Sequence, residues 1–544
     1  EANMGIKVYL NFVVYDNSSN GFAGADVRVM EDSSSLYSTD GFGGSDPKTD
    51  GNGSIGTFLV ATKHYDGNSV PDNVTTNITV KYVDWILSDS YNVTSLISVS
   101  IDDFRVLNQN TEVMYYSISG AVSAASNSHI IHVWAGTYRE KITINKQITL
   151  VGNSTSNTIL NGSNVSGLGF GDSIITITSV NVVIKNLSLL SSDGNAILVN
   201  ANDCDIENVY AAYNNNAGVN TGASFIKIID STFRENGQRG IELQGASEVS
   251  IINNTFIDDA RGINLYNSND VTIRDNTISS NGIGILSTSS DDVEIYRNLL
   301  HNNTNEGLTF DGGSSNSEAH NNSIEYNGDY GISVSGADSL LISDNIIKEN
   351  TKGFRIIAAD DIIFLSNTFI SNDGGLSAIL TWGGISGVNR LENNTFDDTE
   401  FSIEGSNQTL IGNIFKNSPG YGIKLTSEYC DDNVLYHNTI TNSNDEDIFV
   451  GGSGNQTNNI GYNNTFSTIE VEENGEFIIL GYVNVKTVNA SGDMPDIDVH
   501  SYYHTSSYYK TSYFGGLDNL TNETGEVPSF IAPIVYYGGS STAE

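Results

Sequence analysis

Residues 249–285 read VSIINNTFIDDARGINLYNSNDVTIRDNTISSNGIGI, and this stretch decides the fold. It contains one phrase twice: an apolar run, an asparagine, a second polar residue five positions later, and a glycine before another apolar residue. The phrase recurs ten times between residues 249 and 466, in steps of 19 to 27 residues. A period of this length is typical of a solenoid in which each repeat forms one turn. The repeated asparagines are Asn254, Asn276, Asn298, Asn322, Asn345, Asn367, Asn394, Asn413, Asn438 and Asn464.

The composition of each repeat predicts strands and corners. Short runs rich in Ile, Val, Phe and Thr alternate with Asn, Asp, Gly and Ser, and no helical stripe interrupts them. Asparagine tolerates the left-handed conformation of a tight corner, and stacked asparagines at a strand spacing of about 4.8 Å can hydrogen-bond to one another. We therefore expect asparagine ladders with a structural role. The second polar column is Asn236, Asp259, Asn281, Asn303, Asn327, Asn350 and Asn372, and the glycine column is Gly240, Gly262, Gly284, Gly307, Gly331, Gly353 and Gly375.

The segment that precedes the repeats carries a family resemblance. Residues 114–152 read MYYSISGAVSAASNSHIIHVWAGTYREKITINKQITLVG and resemble the start of right-handed parallel β-helices of the pectate-lyase-like superfamily. In that superfamily a short amphipathic helix caps the solenoid, and a Gly-Thr-Tyr-x-Glu turn follows. The resemblance covers about 115–470 and implies an all-β solenoid, but this fold hosts many unrelated functions. The matching residues are Ile118, Val122 and Ala125 for the cap, and Gly136, Thr137, Tyr138 and Glu140 for the turn.

The two ends of the chain are copies of one module. Residues 6–69 align without a gap with residues 478–541, so that FGGSDPKTDGNG (42–53) matches FGGLDNLTNETG (514–525). Each copy resembles the carboxypeptidase-regulatory-like and bacterial Ig-like β-sandwich modules of surface proteins. We predict an N-terminal β-sandwich over 1–110, a right-handed parallel β-helix with a helical cap over 111–475, and a truncated second copy over 476–544.

The second copy is shorter than the first. The first copy continues through NITVKYV (77–83) and SLISVSI (95–101), whereas the second stops at Glu544 before their counterparts. Three explanations stay open: the natural chain continues, a neighbouring subunit supplies the strand by β-augmentation, or the copy is a smaller domain. The first two suit head-to-tail assembly into filaments or sheets.

The negative charge of the chain disfavours several classes of binding partner. A net charge of −41 disfavours nucleic acid and anionic membranes, and it would repel an acidic polysaccharide unless cations bridged the two. No apolar run is long enough for a membrane span. The chain opens at Glu1 rather than Met, which favours a processed protein at the cell surface or outside the cell.

Short motifs predict a bound metal ion and covalently attached glycans. DPKTDGNG provides Asp46, Asp50 and Asn52 as oxygen ligands of a structural Ca²⁺, and no other cofactor is expected. N-glycans are predicted because the chain contains nineteen Asn-x-Ser/Thr sequons. The sequon asparagines are Asn17, Asn52, Asn73, Asn77, Asn92, Asn153, Asn161, Asn164, Asn186, Asn253, Asn302, Asn321, Asn393, Asn407, Asn455, Asn463, Asn489, Asn519 and Asn522.

The two cysteines, Cys204 and Cys430, lie about ten turns apart in the predicted solenoid. At about 4.8 Å per turn this separation far exceeds the reach of a disulfide. They are therefore either two packed thiols or partners in an intermolecular disulfide.

A search for catalytic groups finds no strong motif. Gly-x-Ser-x-Gly, His-Glu-x-x-His and P-loop signatures do not occur. The best candidate cluster is Arg239 and Arg261 with Asp258 and Asp259, although paired corner charges explain it as well. Trp382, in the longer repeat with TWGG, is a candidate sugar platform.

These observations predict an extracellular structural protein rather than an enzyme. It would assemble with copies of itself, and with surface glycans, into a sheath, surface layer or filament through its terminal modules. The alternative is a polysaccharide lyase or hydrolase, or a carbohydrate-binding adhesin, that uses one face of the β-helix.

Overall fold

The computed structural model describes residues 105–480 except 164, 166–168, 170, 373–376, 381–388, 428–429 and 453. It also describes separate stretches between residues 4 and 100 and between residues 481 and 538. The chain divides into two compact units, residues 1–255 (unit 1) and residues 256–544 (unit 2). The strand Thr255–Ile257 contains the boundary.

Unit 1 contains the first turns of a parallel β-helix. We number the strands of each turn in chain order, and the third strands of successive turns pair to form what we call the third-strand sheet. In unit 1 this sheet consists of Ile142–Ile144, Ile175–Ile177, Ile197–Val199, Ala217–Thr221 and Arg239–Gln244, which pair in parallel in this order. The first and second strands of its turns are His129–Val133, Gly136–Tyr138, Ile148–Gly152, Thr158–Asn161, Val183–Leu190, Cys204–Ala212, Ile226–Ile229, Thr232–Arg234 and Ser247–Ile252.

The predicted helical cap is present as the helix Ile118–Ala124. Ser117 Oγ accepts a hydrogen bond from Gly120 N at 3.0 Å, which satisfies one donor of the first turn. The Glu140 carboxylate accepts from the backbone N of Ile118 at 3.0 Å and of Ser119 at 2.9 Å. The Gly-Thr-Tyr-x-Glu turn thus holds the start of the helix, and Ile118 and Val122 are buried beneath it.

Unit 2 is also a parallel β-helix. Its third-strand sheet consists of Arg261–Tyr266, Ile283–Thr288, Leu308–Asp311, Tyr330–Ser335, Lys352–Ile357, Ser377–Leu380, Phe401–Ile403, Ile423–Leu425, Ile448–Val450 and Ile469–Val471, all paired in parallel. Its first strands are Asn269–Arg274, Val293–Tyr296, Glu318–His320, Asp338–Ser343, Asp360–Leu365, Arg390–Glu392, Thr409–Ile411, Val434–Tyr436 and Gln456–Tyr462. Its second strands are Thr277–Ser279, Leu299–His301, Ser323–Glu325, Ile346–Lys348, Thr368–Ile370, Thr395–Asp397, Ile414–Lys416 and Thr439–Thr441. The prediction of an all-β parallel β-helix is confirmed.

The repeated asparagines form a continuous ladder inside unit 2. From Asn276 to Asn464, each side-chain Nδ2 donates to the Oδ1 of the next ladder asparagine at 2.9–3.0 Å. A corner residue with positive φ precedes most of them, such as Asp275 (58°) and Asn321 (55°). In unit 1, Asn254 Oδ1 accepts from Ser231 N at 2.9 Å. The ladder therefore satisfies the polar groups of a buried corner.

A second asparagine ladder lies five residues after the first. Asn281, Asn303, Asn327, Asn350 and Asn372 are buried, and each donates to the next at 2.8–3.1 Å. The glycine column leaves room for it, because a Cβ on Gly331 would lie 2.9 Å from Asn350 Nδ2 and 2.6 Å from Ile347 Cγ2. Stacked phenylalanines fill the interior: Phe396 lies between Phe369 and Phe415, at centroid distances of 4.6 and 4.7 Å.

The terminal copies contain equivalent strand pairs. In unit 1, Asp26–Glu31 pairs with Ser34–Ser38, and Met4–Leu10 pairs with Phe58–Tyr65. In unit 2, His500–Tyr503 pairs with Ser506–Lys510. The register is the same, because the pair His500↔Lys510 is equivalent to the pair Arg28↔Ser38 of unit 1. Likewise, Gly475–Val483 pairs with Phe530–Gly538. The remaining strands are Val14–Tyr15, Asp72–Asn73, Thr76–Tyr82, Trp85–Tyr91, Val99–Ser100, Val106–Asn108, Val113–Tyr115, Val488–Asn489 and Gly492–Asp493. The matching pairs support the duplication; the sandwich architecture and the domain boundaries stay predictions.

Candidate functional site

The outward face of the third-strand sheet in unit 2 carries two adjacent columns of polar side chains. One column contains Tyr330 and Lys352, which pair in register. Glu306 lies one turn earlier, next to Gly307, whose N donates to Tyr330 O at 3.1 Å. The other column contains Thr309, Ser333 and Arg355, which also pair in register.

Arg355 connects the two columns. Its Nε donates to Ser333 Oγ at 2.7 Å, and its Nη2 lies 3.3 Å from Glu306 Oε1, two turns back. Its guanidinium carbon lies 4.7 Å from the centroid of the Tyr330 ring. A guanidinium held by a hydroxyl, a carboxylate and an aromatic ring has little rotational freedom left.

Lys352 lies against the same tyrosine. Its Nζ is 4.5 Å from the Tyr330 centroid and 3.0 Å from Asp329 Oδ1. The hydrogen bond with Asp329 raises the pKa of Lys352, so the ammonium stays charged at neutral pH. We call Glu306, Asp329, Tyr330, Lys352 and Arg355 the Tyr330 cluster.

The Tyr330 cluster is partly buried, and the side chains of Asp329, Lys352 and Arg355 are 35%, 32% and 29% exposed. Tyr330 is 8% exposed and the Glu306 side chain 14%. Thr309, next to Ser333 in the second column, is also buried, and its Oγ1 has no hydrogen-bond partner among the described residues. A buried hydroxyl without a protein partner is costly, which marks this point of the column as unusual within the fold.

The cluster contains two carboxylates on neighbouring turns. Asp329 N donates to Asn305 O at 3.2 Å, which places Asp329 one turn above Glu306. Strand spacing separates their backbones by about 5 Å, and pairs of carboxyl groups that flank a glycosidic bond lie roughly 5 to 9.5 Å apart. The arrangement can supply one carboxyl group that protonates a leaving oxygen and a second that attacks or activates water.

A second cluster lies further along the same face. Lys424 Nζ is 5.4 Å from the Tyr421 centroid and 5.9 Å from that of Phe449, and the two rings are 4.6 Å apart. Partial burial raises the pKa of Glu404, and the charge of Lys424 opposes this shift in part. Ser402 pairs in register with Lys424 and is buried. We call Ser402, Glu404, Tyr421, Lys424 and Phe449 the Tyr421 cluster.

The residues singled out from the sequence lie elsewhere. In unit 1, Arg239 forms an ion pair with Glu242 on its own strand. In unit 2, Arg261 Nη1 donates to Asn264 Oδ1 at 3.4 Å, and the buried Asp259 donates through its backbone N to Asn281 Oδ1, as a member of the second ladder. These contacts are structural. Trp382 lies outside the described residues.

The predicted calcium loop is only partly described. Asp46 is exposed, and its Oδ2 accepts from Ser38 N at 2.6 Å, whereas Asp50 and Asn52 lie outside the described residues. No group of three or more His, Cys, Asp or Glu side chains within the described part of the chain is arranged to hold a metal ion. Calcium binding stays a prediction.

The sequons occupy two environments. Asn161, Asn186 and Asn407 are partly exposed, and the exposed sequon asparagines are Asn153, Asn253, Asn302, Asn321, Asn393, Asn455 and Asn463. Five of these exposed residues (Asn253, Asn302, Asn321, Asn393 and Asn463) have positive φ and directly precede a ladder or corner asparagine. For Asn73, Asn77 and Asn489 only the backbone is described, and Asn17, Asn52, Asn92, Asn164, Asn519 and Asn522 lie outside the described residues. Occupancy by glycans stays a prediction.

Both cysteine thiols are buried, Cys204 in unit 1 and Cys430 in unit 2. Burial raises the pKa of Cys204 and raises that of Cys430 from 9.0 to about 12. Because only the thiolate reacts, we expect Cys430 in the native protein to react with a thiol reagent at least about a thousandfold more slowly than in denaturant. Stopped-flow labelling followed by peptide mass analysis measures this ratio. Rapid native labelling would contradict the burial.

Comparisons with known proteins agree with this architecture. The chain matches the family described as right handed beta helix region over residues 172–324 and 239–396, less than half of its length. The fold is a right-handed parallel β-helix. No curated protein sequence matches the chain. Within the described residues, no helix is long and apolar enough to cross a membrane.

Several solved structures resemble the chain. The A-module of the mannuronan C-5 epimerase AlgE4 from Azotobacter vinelandii is 18% identical, with a TM-score of 0.42, over 64% of this chain and 94% of that one. The catalytic unit of a GH87 alpha-1,3-glucanase from Streptomyces thermodiastaticus is 14% identical, with a TM-score of 0.40, over 86% and 89%. The Dettilon tailspike protein is 13% identical, with a TM-score of 0.37, over 72% and 71%.

These relatives correct one prediction. The sequence was expected to encode a protein that is not an enzyme, but the structures similar to it are mostly enzymes that process carbohydrates. The prediction was wrong because it relied on the lack of a recognisable linear motif, and a site assembled from separate turns of a solenoid leaves no such motif. At such low identity the similarity establishes the fold alone, so the function must be argued from the site.

Proposed function

We propose that this chain is a carbohydrate-active enzyme that binds a polysaccharide along the third-strand sheet of unit 2 and hydrolyses it at the Tyr330 cluster. The observation that carries the proposal is the pair of carboxylates, Glu306 and Asp329, each held by its own cation on one outward face. The proposal replaces self-assembly as the main interpretation and keeps the expectation of a protein outside the cell.

Each residue of the cluster has a distinct role in this proposal. Glu306 and Asp329 supply the general acid and the base or nucleophile of glycoside hydrolysis. Arg355 and Lys352 orient these carboxylates, and Tyr330 provides the ring on which both cations rest. Thr309 and Ser333 lie in the column beside the carboxylates, and Ser333 Oγ accepts the hydrogen bond that helps to fix the Arg355 guanidinium.

The direct test is a panel of neutral and acidic polysaccharides incubated with the wild-type protein and with Arg355→Met. Hydrolysis is read as new reducing ends, and elimination as the ultraviolet absorbance of an unsaturated uronate. We expect reducing ends without that absorbance, and a loss on the order of a hundredfold in Arg355→Met, because Glu306 loses the group that positions it.

Arg390→Met is the matched control. Arg390 also pairs with a glutamate, Glu392, but on a first strand of the β-helix rather than in the third-strand sheet. Its removal should leave activity unchanged. Equal losses in the two variants, or no cleavage of any polymer by the wild type, would refute the proposal; an unsaturated product would replace hydrolysis by elimination.

A further inference from the structure

The Tyr421 cluster repeats the chemical elements of the Tyr330 cluster. Each contains a cation against an aromatic ring and a carboxyl group, and each has a buried hydroxyl in the column that contains Arg355, which is Thr309 beside the Tyr330 cluster. In the Tyr421 cluster this hydroxyl is Ser402 Oγ, which is fully buried and has no hydrogen-bond partner among the described residues. Ser402 pairs in register with Lys424, whose ammonium lies against the rings of Tyr421 and Phe449, and a few polar groups beside aromatic rings are typical of a ligand site.

The two clusters are connected by strand register. Arg355 pairs with Ala378, Ala378 with Ser402, and Ser402 with Lys424. Three steps of the parallel sheet correspond to about 14 Å. A sugar chain of several residues that runs along the outward face could therefore contact both clusters.

We propose that the Tyr421 cluster is a second sugar-binding site, which holds an uncharged polysaccharide at a distance from the bond that is cleaved. This inference rests on the proposed function and adds to it the class of substrate and a minimum length. Tyr421 offers a partly exposed ring for the apolar face of a pyranose, while Glu404 and Lys424 offer hydrogen bonds to its hydroxyl groups.

The charges around Tyr421 disfavour an anionic ligand. Burial raises the pKa of the Tyr421 hydroxyl, and the negative charges of four carboxylates raise it further: Glu470, Asp445, Glu446 and Glu472. Lys424 is the one cation that contacts the ring among the described residues. A uronate would bring another negative charge into this field, whereas a neutral hexose would not.

Glu404 fits an uncharged ligand as well. Because partial burial raises its pKa, the carboxyl group retains its proton to higher pH than an exposed glutamate does. In either protonation state the carboxyl group accepts hydrogen bonds from the hydroxyl groups of a neutral sugar.

Tyr421→Ala and Lys424→Met, assayed on a length series of neutral oligosaccharides, test the inference. We expect kcat/KM for octasaccharides and longer chains to fall about fivefold to tenfold, mostly through KM, while the smallest cleaved oligosaccharide is unaffected. Tyr326→Asn is the control: it removes an exposed ring from a corner with positive φ, which asparagine tolerates.

Affinity electrophoresis in gels that contain neutral polymer or polyuronate separates this inference from the proposed function. Retardation of the wild type by neutral polymer, lost in Tyr421→Ala but not in Arg355→Met, would support the second site even if no cleavage occurred. Equal retardation of wild type and Tyr421→Ala, a loss of activity independent of chain length, or equal binding of polyuronate would overturn it.

Discussion

Replacing Glu306 by glutamine is expected to lower the rate of polysaccharide hydrolysis about a thousandfold or more while the fold is retained. The amide still accepts a hydrogen bond from Arg355, so the local geometry changes little. It cannot carry a negative charge or transfer a proton, and positioned acid–base groups contribute about a hundredfold to ten-thousandfold to the rate. Asp329→Asn should cause a loss of similar size, because each step of hydrolysis needs both carboxyl groups.

The measurement is kcat on the best substrate of the panel, with circular dichroism and thermal unfolding of each variant. Glu318→Gln is the control, since Glu318 is an exposed carboxylate on a first strand in the same unit. A Glu306→Ala variant should regain activity with added formate, which replaces the missing carboxylate. Activity of Glu306→Gln above about a tenth of the wild-type value would exclude Glu306 as a catalytic residue.

The fold could be predicted because its determinants are local and periodic. Each ladder asparagine directly follows a residue with positive φ, and this tight corner accounts for its position. The duplicated ends were also visible, and the register of His500–Tyr503 with Ser506–Lys510 reproduces that of Asp26–Glu31 with Ser34–Ser38. Where one repeat determines one turn, sequence spacing translates directly into strand pairing.

The candidate site could not be predicted in the same way. Arg355 and Glu306 are 49 residues apart, and the length of two intervening turns decides whether they meet. The charges that stand close together in the sequence, such as Arg261 and Asp259, hydrogen-bond to asparagines near the corners instead. A better signal would have been a carboxylate, an aromatic ring and a cation before the glycine column on three successive turns, as in Glu306, Tyr330 and Lys352.

The net charge of −41 is a property of the whole chain and does not describe the surface that binds a ligand. Only charges close to the binding surface affect which ligand is bound, because charges beyond roughly 10 Å are screened at moderate salt. The Tyr330 cluster contains two carboxylates and two cations, so it is locally neutral, whereas the Tyr421 cluster is surrounded by carboxylates. The overall charge therefore disfavours acidic polymers without excluding a sugar as the substrate.

Replacing Asn345 by alanine is expected to lower the free energy of opening the surrounding turns by about 3 kcal/mol. Its Nδ2 donates to Ala319 O at 2.8 Å and to Asn367 Oδ1 at 2.9 Å, and its Oδ1 accepts from Asn322 N and Nδ2, both at 2.9 Å. Alanine leaves several of these groups buried without partners, and each such group costs about 1–3 kcal/mol.

Because a solenoid turn contacts mainly its neighbours, this loss should remain local. Hydrogen exchange should increase in the turns of Asn322 and Asn367 and remain unchanged near Asn464. Asn305→Ala, at an exposed position in the same unit, should change neither region. If exchange increased equally throughout unit 2, the ladder would act as one cooperative element rather than as a series of separate turns, and the stiffness of the β-helix would then depend on every asparagine at once.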